Sequence, residues 1–92
     1  MQQASMGRIV IVPVNPQDPG TNGQTEAPAM ITAVSAQPDG RTLVNVRVML
    51  DGPALEWRTS QELLAEAPQD VVKYAAGGIA WWPPRTPTTA AM

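Results

Sequence analysis

RTLVNVRVMLDGPALEWRTS, residues Arg41 to Ser60, decides the fold. Val44, Val46, Val48 and Leu50 fall on one face of an extended chain, and Leu43, Asn45, Arg47 and Met49 fall on the other. A period of two marks a half-buried strand. Asp51-Gly52-Pro53 supplies turn residues. On the return arm Leu55, Trp57 and Thr59 alternate with Glu56, Arg58 and Ser60. The stretch reads as a β-hairpin. Its expected inward face is Val44, Val46, Val48, Leu50, Leu55 and Trp57; its outward face carries Asn45, Arg47, Glu56 and Arg58.

Working towards the N-terminus, Gln37-Pro38-Asp39-Gly40 is a strong β-turn, with Pro second and Gly fourth. It joins the hairpin to a further strand over Ala29–Ala36, which makes an antiparallel meander. Asn15 to Pro28 holds three prolines and two glycines and reads as a long loop, a place where binding often resides. Arg8–Val14 is apolar and β-branched, so continuous that cover on both faces is expected. Pro13 cannot donate to a ladder and places the end of that strand at an edge. Residues 1–7 have no pattern and read as an N-terminal arm.

Towards the C-terminus, Gln61–Ala67 fits either one helical turn or a continued strand, and Pro68 ends it. Val71, Val72 and Tyr74 fit a short strand or an extended loop. Gly77-Gly78 is a hinge. Ile79–Trp82 is a last strand, stopped by Pro83-Pro84. Residues 85–92 form an extended tail.

Composition narrows the function. Ninety-two residues allow one domain, here 8–84, and a chain this short buries roughly 60–65% of its surface on folding. Cysteine and histidine are absent, which removes disulfides, thiolate metal sites, the commonest general base and the commonest metal ligand. No serine has a histidine to activate it, and the carboxylates lack metal spacing, so no enzyme, no cofactor and no metal are expected. With six basic residues and a net charge of −2 no basic face for nucleic acid is visible. The longest apolar run is Ile9–Val12, which gives no membrane-spanning helix and no signal-peptide core. Synthesis in a cytoplasm follows as the default.

Binding is the remaining class. Trp57, Trp81 and Trp82 are the tryptophans and Phe is absent. Trp57 alternates with Leu55 and is expected in the core. Trp81 and Trp82 are adjacent, so in a strand they point to opposite faces, one buried and the other exposed or covered by something else. An exposed Trp beside Pro83 is an anchor for a partner. Arg47 and Arg58, with Asn45 nearby, offer planar donors to an anion. The candidate binding residues are thus Trp81, Trp82, Pro83, Arg47, Arg58 and Asn45, against solvated strand-face arginines as the plain alternative.

Val44-Asn45-Val46, Trp57-Arg58-Thr59-Ser60 and Trp81-Trp82-Pro83, with Pro28–Val34 before them, resemble a diffuse family of small uncharacterised bacteriophage proteins with a "VN-x-x-V … RTS … W-x-P" pattern. The likeness covers residues 8–84. It implies a compact SH3-like β-barrel and a phage origin, and it carries over no functional residue. The chain departs from the pattern in its Pro-rich 15–28 loop and in the long 66–78 connection.

The expectation is a mostly β chain: a small SH3-like barrel of about five antiparallel strands with extended N- and C-terminal arms. The expected function is a non-enzymatic structural accessory protein of a phage particle, a head or tail decoration or joining protein. It would be made in the host cytoplasm and reside in the virion. Its partners would be other virion subunits or itself as a homo-oligomer, with no nucleic acid and no membrane. The alternatives are a module that sequesters a host nucleotide signal and an inhibitor of a host protein.

Overall fold

The computed structural model describes residues 3–53 and 55–84. Five strands, β1 (Ile9–Pro13), β2 (Glu26–Ala36), β3 (Thr42–Met49), β4 (Leu55–Leu64) and β5 (Ile79–Trp81), close into a barrel in the order β1-β2-β3-β4-β5. The architecture is the small SH3-like barrel that the sequence implies. β2, β3 and β4 form the meander, and β1 pairs antiparallel with both β2 and β5. The pairing of β4 with β5 is parallel, against the expectation of an all-antiparallel set. Parallel neighbours need a crossover of a dozen or more residues. Residues 65–78 supply it, with a 3-10 turn at Val71–Tyr74 where a short strand or extended loop was expected. Gln61–Leu64 continues β4, which resolves the choice between helix and strand at its start.

The core is built from alternate positions. Val10 and Val12 of β1, Ala29 and Ile31 of β2, and Val44, Val46 and Val48 of β3 are all buried, joined by Ala80 and Trp82. Residues 1–7 do not form a projecting arm where they are described. Ala4 packs against the core, and the Gly7 amide donates to the Ile31 carbonyl at 2.8 Å. The tail expected at 85–92 lies outside the described residues.

The loop before β2 is held from within. Val14 N donates to Thr25 O at 3.0 Å, and the buried Thr21 hydroxyl donates to Asp18 O at 2.8 Å. Asn22, at φ 51, sends its side-chain amide to Asp51 Oδ2 at 2.8 Å, which ties the loop to the β3–β4 turn. Gly20 packs closely there, since a Cβ on it would stand 3.1 Å from Leu50 Cδ1.

Two bulges set which residues face inward. Between Ile31 and Ala33 of β2, and again opposite Val44–Val46 of β3, the registers shift. On β4 the partners of Val46 and Val44 are Arg58 and Gln61, one residue more than β3 spends on the same span. Ser60 takes the left-handed conformation, φ 56, that absorbs the extra residue. Asn45 pins both irregularities: its carbonyl accepts from Thr32 Oγ1 at 3.2 Å, and its Oδ1 accepts from Ser60 N at 2.9 Å. Since a left-handed φ costs a residue with a Cβ about 1–2 kcal/mol, Ser60→Gly is expected to stabilise the fold by about 0.5–1 kcal/mol after the entropy of the unfolded glycine is set against it. Asn45→Ala keeps the backbone carbonyl that accepts from Thr32 but removes the Oδ1 acceptor of Ser60 N, and is expected to destabilise by about 1 kcal/mol. Urea unfolding followed by circular dichroism reads both, and a loss of stability in Ser60→Gly would reject this account of the bulge.

Candidate functional site

The expected site residues go to three different places. Trp81 and Trp82 are both buried, at 2% and 6% exposure, so the second ring is covered and not an exposed anchor. Alternation still operates, since Ala80 and Trp82 belong to the core and Trp81 lies on the outer side. The 3-10 turn of the 65–78 crossover contacts β1, the strand that pairs with Trp81 through Ile11. Arg8 places its guanidinium 5.3 Å from the Trp82 ring centroid. Pro83 is half-buried beside them.

Arg58 is an interior residue. Its side chain is only 10% exposed and pairs with Glu56, while Nη1 donates to Pro13 O at 2.8 Å. It thus closes the seam where Pro13 ends β1. Next to it the buried Gln61 accepts from the Gly78 amide and donates to Thr59 O, both at 2.6 Å. Gly77, at φ 104, allows this approach, because a Cβ there would lie 3.3 Å from Gln61 Oε1 and 3.4 Å from Arg58 Nη1. Asn45 is committed to the two bulges. Arg58 and Asn45 thus serve the fold.

Trp57 is the converse correction. It is 55% exposed and Leu55 is 59% exposed, where the core was expected. The cross-strand pairs decide this: Trp57 stands opposite Arg47, an outward position, and Glu56 stands opposite the buried Val48. Of the expected binding residues, Arg47 alone joins an open surface.

That surface runs over four strands. Ile9 pairs with Met30, Met30 with Arg47 and Arg47 with Trp57, so these four form one row on the outside of the barrel. The next row holds Ile11 opposite Pro28, and Met49 opposite Leu55. Below it a cleft of about 400 Å³ opens under the 14–25 loop. Val14, Pro28, Met49 and Leu50 line its apolar part, with Glu26 and Asp51 at its polar end. The sequence signal for this face was present in the alternation of Met30 and Met49 with core residues, but Leu55 and Trp57 were assigned to the other side.

Among the described residues no group of three or more acidic side chains stands close enough to hold a metal ion. The Asp39 carboxyl is held below its ordinary 3.8 by the Arg41 backbone amide and then by the Arg41 guanidinium, in an exposed turn remote from this face. No helix is long and apolar enough to cross a membrane among the described residues. The chain matches no protein-family model, no curated protein and no solved structure.

Proposed function

We propose that this chain is a non-enzymatic structural accessory protein of a bacteriophage particle, a decoration or joining subunit that docks on neighbouring protein subunits through the outer face of β1–β4. The observation that carries the reading is the row Ile9, Met30, Arg47 and Trp57, flanked by Leu55, with Met30 still 41% exposed. Contiguous apolar surface of this kind on a small soluble domain marks an interaction site. An exposed Trp with an Arg beside it has the composition of a binding hot spot. The phage setting rests on the resemblance over residues 8–84. A repeating particle suits such a face, because many modest contacts act together there.

Mass spectrometry of purified particles tests it. The chain is expected at stoichiometric level, and Trp57→Ala is expected to lower its occupancy at least about tenfold, as for a hot-spot side chain worth about 2 kcal/mol. Particles free of the chain would reject the reading.

The direct opposition of Trp57 and Arg47 also supports a second reading, in which the ring stacks a base and the guanidinium clamps a phosphate of a host nucleotide signal. A thermal-shift screen with cyclic nucleotides separates the two. A ligand at 100 times its dissociation constant adds about 2.7 kcal/mol, and no shift with any nucleotide rejects this second reading.

A further inference from the structure

We infer that the second half of β2 is an open sheet edge that takes an extended segment of another protein, added antiparallel as a further strand. The site lies at the opposite end of β2 from the cleft, apart from the outer row named above.

The strand registers show the opening. β1 accompanies β2 only from Pro13 opposite Glu26 to Ile9 opposite Met30, whereas β3 runs beside β2 as far as Ala36. The last backbone bonds on the β1 side are at Ile31, which donates to Arg8 O at 2.9 Å and accepts from Gly7 N at 2.8 Å. There the chain leaves the lane. A turn closed by Arg8 N on Ser5 O, with Gly7 at φ 90, reverses the chain, so the residues before it do not prolong β1. Among the described residues no strand pairs with Thr32–Ala36 on that side.

Backbone and side chains both mark the lane as unfilled. Gln37 N donates to Arg41 O across the β2–β3 turn. Backbone groups alternate between the two edges of a strand, so Ser35 also turns to β3, while Val34 and Ala36 direct their N–H and C=O into the lane. Val34 stands opposite Val44 and shares its inner face, yet Val34 is 41% exposed and Val44 only 1%. Where β1 is present the same face is covered, as Val10 covers the fully buried Ala29. Ala33, Ser35 and Ala36 are exposed too, and Thr32–Ala36 carries neither a charge nor a proline to guard the edge.

These features choose the occupant. Backbone donors and acceptors at strand spacing are matched by another extended backbone, the mode of recognition in which a peptide adds to a sheet edge. Val34 and Ala36 both face the core side, so the segment carries apolar residues at alternating positions, opposite those two. Because Val34 sends its N–H and C=O into the lane, the apolar residue facing it bonds through its own N–H and C=O. The residues between point theirs away.

Nuclear magnetic resonance of the full chain with the peptide acetyl-Lys-Thr-Val-Thr-Val-Thr-Lys-amide, titrated to about 5 mM, tests the site. The Val34 and Ala36 amides are expected to exchange freely in the protein alone. With peptide they are expected to shift and to exchange about sixfold more slowly for a dissociation constant of about 1 mM. Methylating the valine nitrogens of the peptide is expected to abolish binding, and methylating the threonine between them to leave it intact. Ala36→Pro removes a donor from the lane without taking a bond from β3, and is expected to weaken binding at least about tenfold. Val34→Lys places a charge on the same edge and is expected to do the same, with circular dichroism showing which variant is folded. Equal binding of the two methylated peptides overturns the inference, as does undiminished binding by a folded variant or silence of the Val34 and Ala36 amides. Amides already protected in the protein alone also overturn it: protection at every concentration means that the chain fills its own lane, and protection that grows with concentration means that a second copy does.

Discussion

Trp82→Ala is expected to remove about 3–5 kcal/mol of folding stability, the usual cost of emptying a core site of that size. For a chain of 92 residues the whole stability is about 5–14 kcal/mol, so the variant should be marginal or unfolded at 37 °C. The ring is packed among the buried valines of β1 and β3 and lies under the Arg8 guanidinium. Neither the apolar contacts nor the cation–π contact can be rebuilt by the small collapse that a five-stranded barrel allows, because its strands are fixed to one another on both sides. Trp57→Ala is the internal control. It is equally large a truncation, but at an exposed position it should cost no more than about 1 kcal/mol, from the cross-strand contact with Arg47. Urea unfolding followed by far-ultraviolet circular dichroism measures both. Equal losses for the two tryptophans would contradict the inside-out placement described above.

Arg58→Met is expected to cost about 2–3 kcal/mol, although methionine keeps most of the stem volume. The loss is of charge-assisted bonds. Pro13 O loses its donor and Glu56 its partner at the seam where β1 ends. Arg41→Met breaks an ion pair as well, but both partners there are about half exposed, and such a pair contributes little to stability. The two variants should also separate by salt. Exposed pairs are screened, so the difference between wild type and Arg41→Met should vanish near 1 M salt, whereas that for Arg58→Met should largely persist. Equal cost in the two variants, or loss of the Arg58 effect in salt, would remove Arg58 from the list of structural residues.

The two predictions share a cause. Each concerns a residue whose side of the sheet was misassigned from the sequence, Trp57 directly and Arg58 through it. Taken alone, Leu55 and Trp57 are the apolar half of β4 and Glu56 and Arg58 the polar half, and hydrophobicity assigns the first pair to the core. Reading back from Leu63, which packs against the core, gives the same parity and the same conclusion. The extra residue at Ser60 breaks that parity: Arg58 faces inward before it and Gln61 after it. Nothing about Ser60 announces a left-handed turn, since serine is not a residue that requires one.

What the sequence by itself determined is local. The hairpin, the Gln37–Gly40 turn, the apolar first strand and the buried Val44, Val46 and Val48 all follow from alternation and turn chemistry over a few residues. The residues by themselves implied a small, mostly β domain, and the barrel was implied by the resemblance. Long-range contacts decided the rest. The 3-10 turn of the 65–78 crossover packs on β1, the strand paired with Trp81, and both adjacent tryptophans are buried. A bulge fixed by Asn45 across the sheet turned Arg58 in and Trp57 out. The outer row Ile9, Met30, Arg47 and Trp57 joins residues from four strands and is invisible until the registers are known. Alternation gives each strand two faces, but only pairing with its neighbours decides which face meets the core.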